Sequence, residues 1–385
     1  KDVWDLLVIG GGITGAGTLR DAASRGLKAC LIEAQDFAQG TSSRSSKLIH
    51  GGIRYLENLD FGLVFESLSE RHLLFEIAPH LVHPLRFNLP LYKDSRVTPF
   101  KMGLGMLLYD ALALFRSPEM HRYLSAEDTL EELPILKSEG LVGSFEYSDA
   151  WMDDDLLVLE NIRSSYDLGA PSVNYCKCTS IQKKTSGLFH IQVHNELEKS
   201  DFEIRAKHIV SAVGPWTDIF GKSLTPKWKP LLRPTKGIHI VLDKNRLPIK
   251  QAVVMASDNE KRIVFVIPRN DSIIIGTTDT DFPNDPALVK SESEDIRYLL
   301  NLANHYFKGA KLTNQDILSS YSGVRPLIDD RSNSESKTSR EHLIFSGPLG
   351  ITFVTGGKFT SYRSIAEHVV DFALKKFSIE DQVLF

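Results

Sequence analysis

Residues 6–33 read LLVIGGGITGAGTLRDAASRGLKACLIE, and this stretch decides the fold. Residues 6–9 form a continuous apolar run, which is typical of a strand buried in a parallel sheet. A glycine-rich turn follows, and residues 16–25 are predicted to form a helix. Residues 27–32 are a second apolar strand, and Glu33 stands directly after it. This order of elements predicts an α/β fold that begins with a Rossmann-like unit.

The turn between the first strand and the helix, GGGITG, has the spacing that nucleotide phosphates require. Gly10 permits the tight turn, Gly12 lets the backbone approach a pyrophosphate, and Gly15 lets the helix pack closely on the sheet. The helix N-terminus offers free N–H groups to the phosphates. Glu33 is placed to accept hydrogen bonds from ribose hydroxyls, and its charge disfavours NADP. The stretch predicts dinucleotide binding, with these contacts: Gly10, Gly12, Ile13, Thr14, Gly15 and Glu33.

The composition is that of a globular protein with more than one domain. The 385 residues correspond to two or three domains at ~150 residues each. Lys and Arg total 45 against 49 Asp and Glu, so the net charge of −4 gives no overall attraction to nucleic acid. With only three cysteines, a disulfide scaffold and a zinc site are both disfavoured, and a reducing compartment is expected.

The middle of the chain is rich in short strands. Residues 237–242, 252–255, 262–268 and 272–278 are β-rich and separated by short polar turns, which favours an antiparallel sheet over further βαβ units. Towards the end, residues 343–346 and 352–355 are strand candidates. Gly356-Gly357 then precedes a helix predicted over residues 360–377, and residues 332–339 are predicted to be a loop.

No segment is long enough to cross a bilayer, which takes about 20 apolar residues. The most apolar run, residues 102–115, is shorter and contains Asp110. The sequence allows two interpretations of this run, an apolar patch for a membrane surface or a buried helix. A signal peptide is not expected, because glycines interrupt the first apolar stretch at once.

The loop after the first two strands separates the NAD and FAD alternatives. Residues 41–56 read TSSRSSKLIHGGIRYL, and such a loop of small hydroxyl residues and glycines can run close to a flat cofactor. This stretch resembles the corresponding loop of the FAD-dependent glycerol-3-phosphate dehydrogenases of the aerobic, quinone-linked kind. These belong to the flavoenzymes similar to D-amino-acid oxidase. Further matches keep the family's order at residues 145–149, 214–216, 262–268, 276–279, 321–326 and 356–358.

The resemblance implies a two-domain α/β (α+β) flavoenzyme. A Rossmann-like FAD-binding domain would be assembled from residues 1–75, 145–233 and 319–378. Residues 76–144 and 234–318 would form a substrate domain on an antiparallel sheet. The family's C-terminal helical domain is expected to be absent from this chain.

The resemblance also implies an activity. It is the oxidation of sn-glycerol 3-phosphate to dihydroxyacetone phosphate, by hydride transfer from C2 to N5 of FAD, with electrons passed to membrane quinone. Three alternatives stay open: an oxidase that uses O2 and releases H2O2, another amine- or hydroxy-acid oxidoreductase of the group, and a flavin-binding protein without turnover. We expect a cytoplasmic protein, peripheral on the cytoplasmic face of the inner membrane, and a homo-oligomer is compatible with the sequence.

The implied FAD contacts lie in three further segments. They are Thr41, Ser42, Ser43, Ser46, Lys47, Leu48, His50 and Gly51 in the loop; Gly214 and Trp216; and Gly356, Gly357, Lys358, Phe359 and Thr360 before the last helix. The glycines and N–H groups before that helix suit an anionic flavin edge, and Thr360 could cap it.

Oxidation of a phosphorylated alcohol requires a phosphate clamp and a proton acceptor. Arginine suits a phosphate dianion because its planar fork donates two bonds at once. The implied substrate contacts are Arg54, Tyr55, Arg325, Arg340 and Lys358. His239 is the favoured base and His50 the second candidate, since imidazole titrates near neutral pH. Arg325, holding the alcohol oxygen, is a third catalytic candidate, and no metal is expected.

Overall fold

The computed structural model describes residues 3–257, 262–329 and 342–377, and of residues 54, 58, 257 and 262 only the backbone. The strands are β1 Val3–Ile9, β2 Ala29–Ile32, β3 Leu48–Ile49, β4 Val82–Tyr92, β5 Arg122–Ser125, β6 Leu141–Met152, β7 Ser172–Val173, β8 Cys176–Lys183, β9 Phe189–Asn195, β10 Ser200–Ser211, β11 Leu232–Asp243, β12 Ala252–Ser257, β13 Arg262–Arg269, β14 Ser272–Gly276, β15 Thr280–Asp281, β16 Ile317–Ile328, β17 His342–Ser346 and β18 Thr352–Gly356. The helices are α1 Ile13–Ser24, α2 Phe61–Ile77, α3 Pro99–Leu112, α4 Ala126–Glu132, α5 Asp154–Asp167, α6 Thr217–Leu224, α7 Ser293–Tyr306 and α8 Tyr362–Leu374.

The first sheet is the Rossmann-like half of the molecule. Its order in the described residues is β17-β18-β10-β1-β2-β7, and β1 runs parallel to both β10 and β2. The apolar run predicted for the first strand is fully buried. Leu6 and Val8 pack on the side of helices α1, α5 and α8, whereas Leu7 and Ile9 pack mainly against side chains of strands β8, β9 and β18. Helix α1 packs against α5 and α8. Strands β8 and β9 extend the sheet through antiparallel pairing with the first half of β10.

The second sheet carries the predicted antiparallel strands. Strand β11 pairs antiparallel with β14 and along most of its length with β16, and β13 pairs antiparallel with β12 and β14. A long antiparallel pair, β4 with β6, joins the sheet through β12. The predicted fold class, a Rossmann-like sheet beside a largely antiparallel one, is confirmed.

Some elements differ in extent from the prediction. Helix α1 begins at Ile13, and α8 spans Tyr362–Leu374 with no side-chain cap, so Thr360 does not cap it. Strands β6 and β16 each run across a predicted domain boundary, after residues 144 and 318. Where the boundary between the domains falls therefore stays a prediction. The predicted loop 332–339 lies outside the described residues.

The apolar run 102–115 is buried on one side and exposed on the other. Most of it lies in α3, which buries Met106, Tyr109 and Asp110 on one side. Its outer side leaves large apolar residues exposed, among them Leu104 at 54% and Leu107 at 52%. In the described part of the chain, no helix is both long and apolar enough to cross a membrane.

Candidate functional site

The glycine turn brings the start of α1 unusually close to the end of β1. A Cβ placed on Gly15 would lie 1.8 Å from the carbonyl oxygen of Gly10, so position 15 must be glycine. Gly10 itself has φ +113°, which favours glycine. The N–H of Ile13 donates to Oγ of Ser42 at 2.9 Å. The free N-terminus of α1 and the loop after β2 therefore form one wall.

Glu33 is held at the end of β2 by backbone donors. Its Oε2 accepts from the N–H of Gly11 at 2.6 Å, and its Oε1 accepts from the N–H of Gln35 at 2.7 Å. A carboxylate has about four acceptor positions. Glu33 can therefore accept two further hydrogen bonds from hydroxyl groups of a ligand while it stays fixed.

A cavity of about 1130 Å³ lies along this wall and continues between the two sheets. Pockets for compact ligands usually have about 300–1,000 Å³, so this one suits a larger ligand. The predicted site residues that line it are Gly10, Gly12, Ile13, Thr14, Glu33, Thr41, Ser42, Ser46, Leu48, His50, Tyr55, Gly214, Trp216, His239, Arg325, Gly356, Gly357, Lys358, Phe359 and Thr360.

His239 lies on β11, facing the cavity from the second sheet. Its Nε2 is 2.9 Å from Oγ of Ser46, and its ring stacks on Tyr321 with 4.7 Å between centroids. Burial lowers the pKa of His239 to about 3, with smaller contributions from the charges of Arg325 and Lys47. Its Nδ1 is buried and has no hydrogen-bond partner. The imidazole is therefore neutral at physiological pH.

Arg325 lies on β16, opposite Thr235 of β11. Its Nη1 donates to Asp279 at 3.2 Å, and its Nη2 donates to Oγ1 of Thr277 at 2.8 Å. The guanidinium packs directly against Gly237. These contacts orient a half-buried cation at the cavity wall.

Lys358 directly follows Gly356-Gly357, the glycine pair at the end of β18. Its Nζ lies 3.9 Å from the ring centroid of Tyr55, donates to Oγ of Ser67 at 3.1 Å and is 3.5 Å from the carbonyl oxygen of Gly51. A cation over an aromatic face is stabilised by the ring quadrupole. Thr360 accepts from the N–H of His50 at 3.4 Å, so the two segments lie side by side.

Comparison with known proteins identifies this arrangement. The chain matches the family described as FAD dependent oxidoreductase over residues 5–363. It is 38% identical over 381 residues to an aerobic glycerol-3-phosphate dehydrogenase of Staphylococcus saprophyticus and 38% identical over 377 residues to that of Staphylococcus aureus. The chain belongs to the FAD dependent oxidoreductase family. The predicted resemblance to aerobic glycerol-3-phosphate dehydrogenases is confirmed, and the chain spans 68% of the length of these relatives.

Solved structures show the same family fold. The glycerol-3-phosphate dehydrogenase of Bacillus halodurans, solved with FAD, superposes with a TM-score of 0.79 at 34% identity, covering 97% of this chain and 65% of that one. The L-α-glycerophosphate oxidase of Mycoplasma pneumoniae gives 0.75 at 19% identity, covering 97% of this chain and 95% of that one. The second likeness concerns the fold alone.

FAD is the cofactor of this oxidoreductase, as predicted, and the residues of the cavity fit it. The α1 N-terminus at Gly12–Thr14 offers backbone N–H groups and a positive dipole for the pyrophosphate. Glu33 offers acceptor positions for ribose hydroxyls, and Gly356 to Thr360 line the side where the flavin ring would lie. These backbone N–H groups and the Glu33 carboxylate thus suit a dinucleotide with an anionic pyrophosphate.

Six predicted site residues of the oxidoreductase do not line the cavity or cannot be placed. Four of them are not part of the cavity lining: Gly15, Ser43, Lys47 and Gly51. Lys47 pairs with Asp154, which is completely buried, so its ammonium is committed to the start of α5. The side chain of Arg54 and the whole of Arg340 lie outside the described residues. Among the described residues, no group of three or more His, Cys, Asp or Glu side chains could hold a metal ion.

The cavity also contains residues that the sequence did not indicate. Tyr175, Cys176, Cys178 and Glu196 line it, and the N–H of Cys176 donates to the carbonyl oxygen of Glu33. Cys176 and Cys178 lie in β8, which pairs with β9 of the first sheet. Tyr175 precedes β8, and Glu196 follows β9. Burial raises the pKa of the Cys178 thiol to about 12, so it is not a nucleophile here. No local pattern in these residues signals a ligand.

Proposed function

We propose that this chain oxidises sn-glycerol 3-phosphate to dihydroxyacetone phosphate. The observation that carries the proposal is that Arg325, Lys358 and the neutral His239 line one cavity that also fits FAD. A phosphate needs cations, and an alcohol needs a proton acceptor. The names of the relatives from Staphylococcus and Bacillus halodurans support the same substrate.

Arg325 is the proposed main phosphate ligand. Its pair with Asp279 and its bond to Thr277 fix the plane of the guanidinium before substrate arrives. A fixed fork can donate two bonds to phosphate oxygens at little entropic cost. Arg54 and Arg340 are proposed as further phosphate ligands. Tyr55 holds the ammonium of Lys358 in place at the cavity wall.

His239 is the proposed proton acceptor for the C2 hydroxyl. Its low pKa in the protein without substrate comes from burial and from the charges of Arg325 and Lys47. When a phosphate dianion pairs with Arg325, part of that charge is neutralised, and the imidazole becomes more basic. Ser46 on Nε2 and the stacked ring of Tyr321 fix the orientation of the imidazole. Bound FAD would supply the two-electron oxidant that takes the hydride from C2.

His50 is the second candidate for this role, because it lines the same cavity beside Phe265. The two can be separated through single substitutions. Loss of flavin reduction in His239→Gln, with reduction retained in His50→Gln, would support His239. The opposite pattern would transfer the role to His50.

A membrane surface and its quinone are the proposed partners for reoxidation. The α3 face, defined here as Phe100, Leu104, Leu107 and Leu108, is exposed, with Phe100 at 78%. Helix α3 packs on α2, whose first two turns expose Phe61 and Phe65. Lys101 and Arg116 are exposed at the two ends of this region and suit anionic lipid headgroups. We propose that the protein lies peripherally on the cytoplasmic face of the inner membrane.

Anaerobic mixing of the FAD-loaded protein with sn-glycerol 3-phosphate tests the activity directly. Rapid bleaching of the flavin absorbance is the expected result, and glycerol without phosphate should leave the flavin oxidised. An unchanged spectrum with sn-glycerol 3-phosphate would overturn the proposed substrate. The reduced protein is then mixed with a short-chain quinone or with O2. Faster reoxidation by quinone supports the dehydrogenase, whereas rapid H2O2 release supports the oxidase.

A further inference from the structure

Gly51 does not line the cavity, yet its backbone N–H and its carbonyl oxygen both make polar contacts with side chains. Its N–H donates to Oη of Tyr109 at 3.0 Å and to Oδ1 of Asp149 at 3.3 Å. Its carbonyl oxygen lies 3.5 Å from Nζ of Lys358. A Cβ at this position would come within 2.6 Å of Tyr109 and Leu68, so the loop lies in close contact with these groups. The backbone between His50 and Gly52 is thus held by Tyr109 and Asp149, which do not line the cavity themselves.

The groups behind the loop form a buried ionic network. Arg71 is 1% exposed and Asp149 is 2% exposed, and Nη1 of Arg71 lies 2.5 Å from Oδ1 of Asp149. Tyr109 donates to Oδ2 of Asp149 at 2.8 Å. Arg71 also donates to the carbonyl oxygen of Ser148 at 2.7 Å and to Oγ of Ser117 at 2.8 Å. Three elements, α2, α3 and β6, therefore meet at one carboxylate.

Helix α2 contacts the cavity cation a second time. Ser67 precedes Arg71 by one helical turn, so both lie on the same face of α2. Ser67 is completely buried, and its Oγ accepts from Nζ of Lys358 at 3.1 Å. A closed ring of contacts results, from Ser67 to Lys358, then to Gly51, Asp149 and Arg71, and back to α2. The position of the Lys358 ammonium is thereby coupled to the buried pair.

Stability alone does not explain such a pair. Burying two charges costs several kcal/mol, and apolar residues of similar volume often stabilise a core as well or better. A buried ionic group can instead specify one arrangement of the backbone that contacts it. Here the backbone that contacts it is Gly51, beside His50 and beneath Lys358.

We infer that Arg71, Asp149 and Tyr109 are positioning residues that hold the His50–Gly52 loop and the Lys358 ammonium at the flavin side of the cavity. The inference rests on the proposed function for its kinetic part. Of the three, Tyr109 offers the mildest test, because Tyr109→Phe removes one hydroxyl and keeps the ring that packs against Tyr147. Tyr92→Phe is the matched control. It removes a hydroxyl bonded to the carbonyl oxygen of Lys137 in a core that does not contact the cavity.

Two readouts are measured on the FAD-loaded variants. In stopped-flow reduction by sn-glycerol 3-phosphate, the limiting rate of Tyr109→Phe should fall about tenfold, the equivalent of one hydrogen bond to a charged group. The substrate concentration for half-maximal rate should change less than the limiting rate, because Arg325, the main proposed phosphate ligand, is not touched. The second readout is the dissociation constant of sulfite, whose anionic flavin adduct is stabilised by a nearby cation. It should rise several-fold in Tyr109→Phe and in the isosteric Asp149→Asn, and not in Tyr92→Phe.

The sulfite measurement needs no knowledge of the substrate, so the two proposals can fail separately. If the wild-type flavin is not reduced by sn-glycerol 3-phosphate but the sulfite constants shift as expected, the substrate is wrong and the positioning role stands. If both readouts of Tyr109→Phe equal those of Tyr92→Phe, the positioning role is wrong. A loss of thermal stability in Tyr109→Phe, with rate and sulfite constants unchanged, would likewise show that the network is only structural.

Discussion

At the scale of single residues, the candidate site is a set of polar side chains whose orientation is fixed by contacts with neighbouring side chains. Asp279 and Thr277 fix Arg325, Ser46 and Tyr321 fix His239, and Tyr55 holds Lys358. Preorientation of this kind reduces the entropy that binding would otherwise cost. Substitution of the cation itself should therefore affect ligand binding more than it affects the fold.

Arg325→Ala should weaken the binding of the phosphorylated substrate while FAD stays bound. A charge-assisted hydrogen bond contributes about 1.5–3 kcal/mol, so the dissociation constant is expected to rise by about 10- to 100-fold. Substrate titration of the flavin spectrum measures it. Arg246→Ala is the control, because Arg246 also pairs with an aspartate, Asp316, but lies outside the cavity. Loss of FAD from Arg325→Ala would contradict the assignment.

At the scale of elements, each helix near the cavity has a different task. Helix α1 presents its N-terminus, α2 supports Lys358 through Ser67, and α3 buries Tyr109 while it exposes an apolar face. The division follows from the side-chain spacing of a helix, in which residues three and four apart share a face. Glycines in these helices serve accordingly different purposes.

Gly15→Ala should prevent close approach of α1 to β1. The new methyl group would overlap the carbonyl oxygen of Gly10, and overpacking of this kind usually costs about 1–3 kcal/mol of folding free energy. FAD occupancy should fall as well, because the α1 N-terminus moves. Gly62→Ala in α2 is the control, since nothing lies within 4 Å of its Cβ position. Equal FAD content and melting temperature in both variants would refute this role of Gly15.

The exposed side of α3 gives a prediction about lipid binding. Leu104→Ser with Leu107→Ser should reduce sedimentation with anionic phosphatidylglycerol vesicles about tenfold or more, because a buried leucine contributes ~1.5–3 kcal/mol. Leu156→Ser with Leu159→Ser on α5 removes similar exposed apolar surface elsewhere and is the control. Equal vesicle binding by the two double variants would exclude the α3 face as the membrane contact.

At the scale of the whole molecule, the cavity lies between two sheets that are joined by side-chain contacts as well as by the chain. Oγ1 of Thr41, from the loop after β2, donates to the carbonyl oxygen of Val324 in β16 at 2.6 Å. The buried His208 of β10 makes the stability of the whole fold depend on pH. Burial lowers its pKa to about 4, while its Nε2 lies 2.8 Å from Oγ1 of Thr352.

Acid should therefore destabilise the whole fold through His208. Between its ordinary pKa of 6.5 and about 4, the unfolded chain binds a proton that the native protein does not, so stability falls as the pH falls through this window. From pH 7 to pH 5 the loss is about 2 kcal/mol. In urea unfolding, His208→Gln should remove this part of the pH dependence. His72→Gln, at a partly exposed position of α2, is the control variant. An identical pH dependence in wild type and His208→Gln would contradict the prediction.

Several strands escaped prediction for reasons that concern their neighbours. Strand β4 contains Pro84 and Pro90, which usually argue against a strand, yet it pairs with β6 over most of its length. Strand β6 lacks apolar alternation because it buries Glu146 and Asp149. Glu146 pairs with Arg86 and Arg122, and Asp149 pairs with Arg71. These partners come from other segments of the chain, and their charges make the burial acceptable.

The sequence by itself determined the features that depend on neighbours along the chain. These are the strand, glycine turn, helix and strand of residues 6–33, the acid at Glu33, the antiparallel strands of 237–278, and the motifs that resemble the flavin family. Tertiary structure alone decided which side chains meet. Ser46 and His239 are 193 residues apart, and Lys358 and Ser67 are 291 apart. Local spacing fixes the periodicity and turns of a segment, whereas contacts across such distances are fixed by the packing of whole sheets and helices.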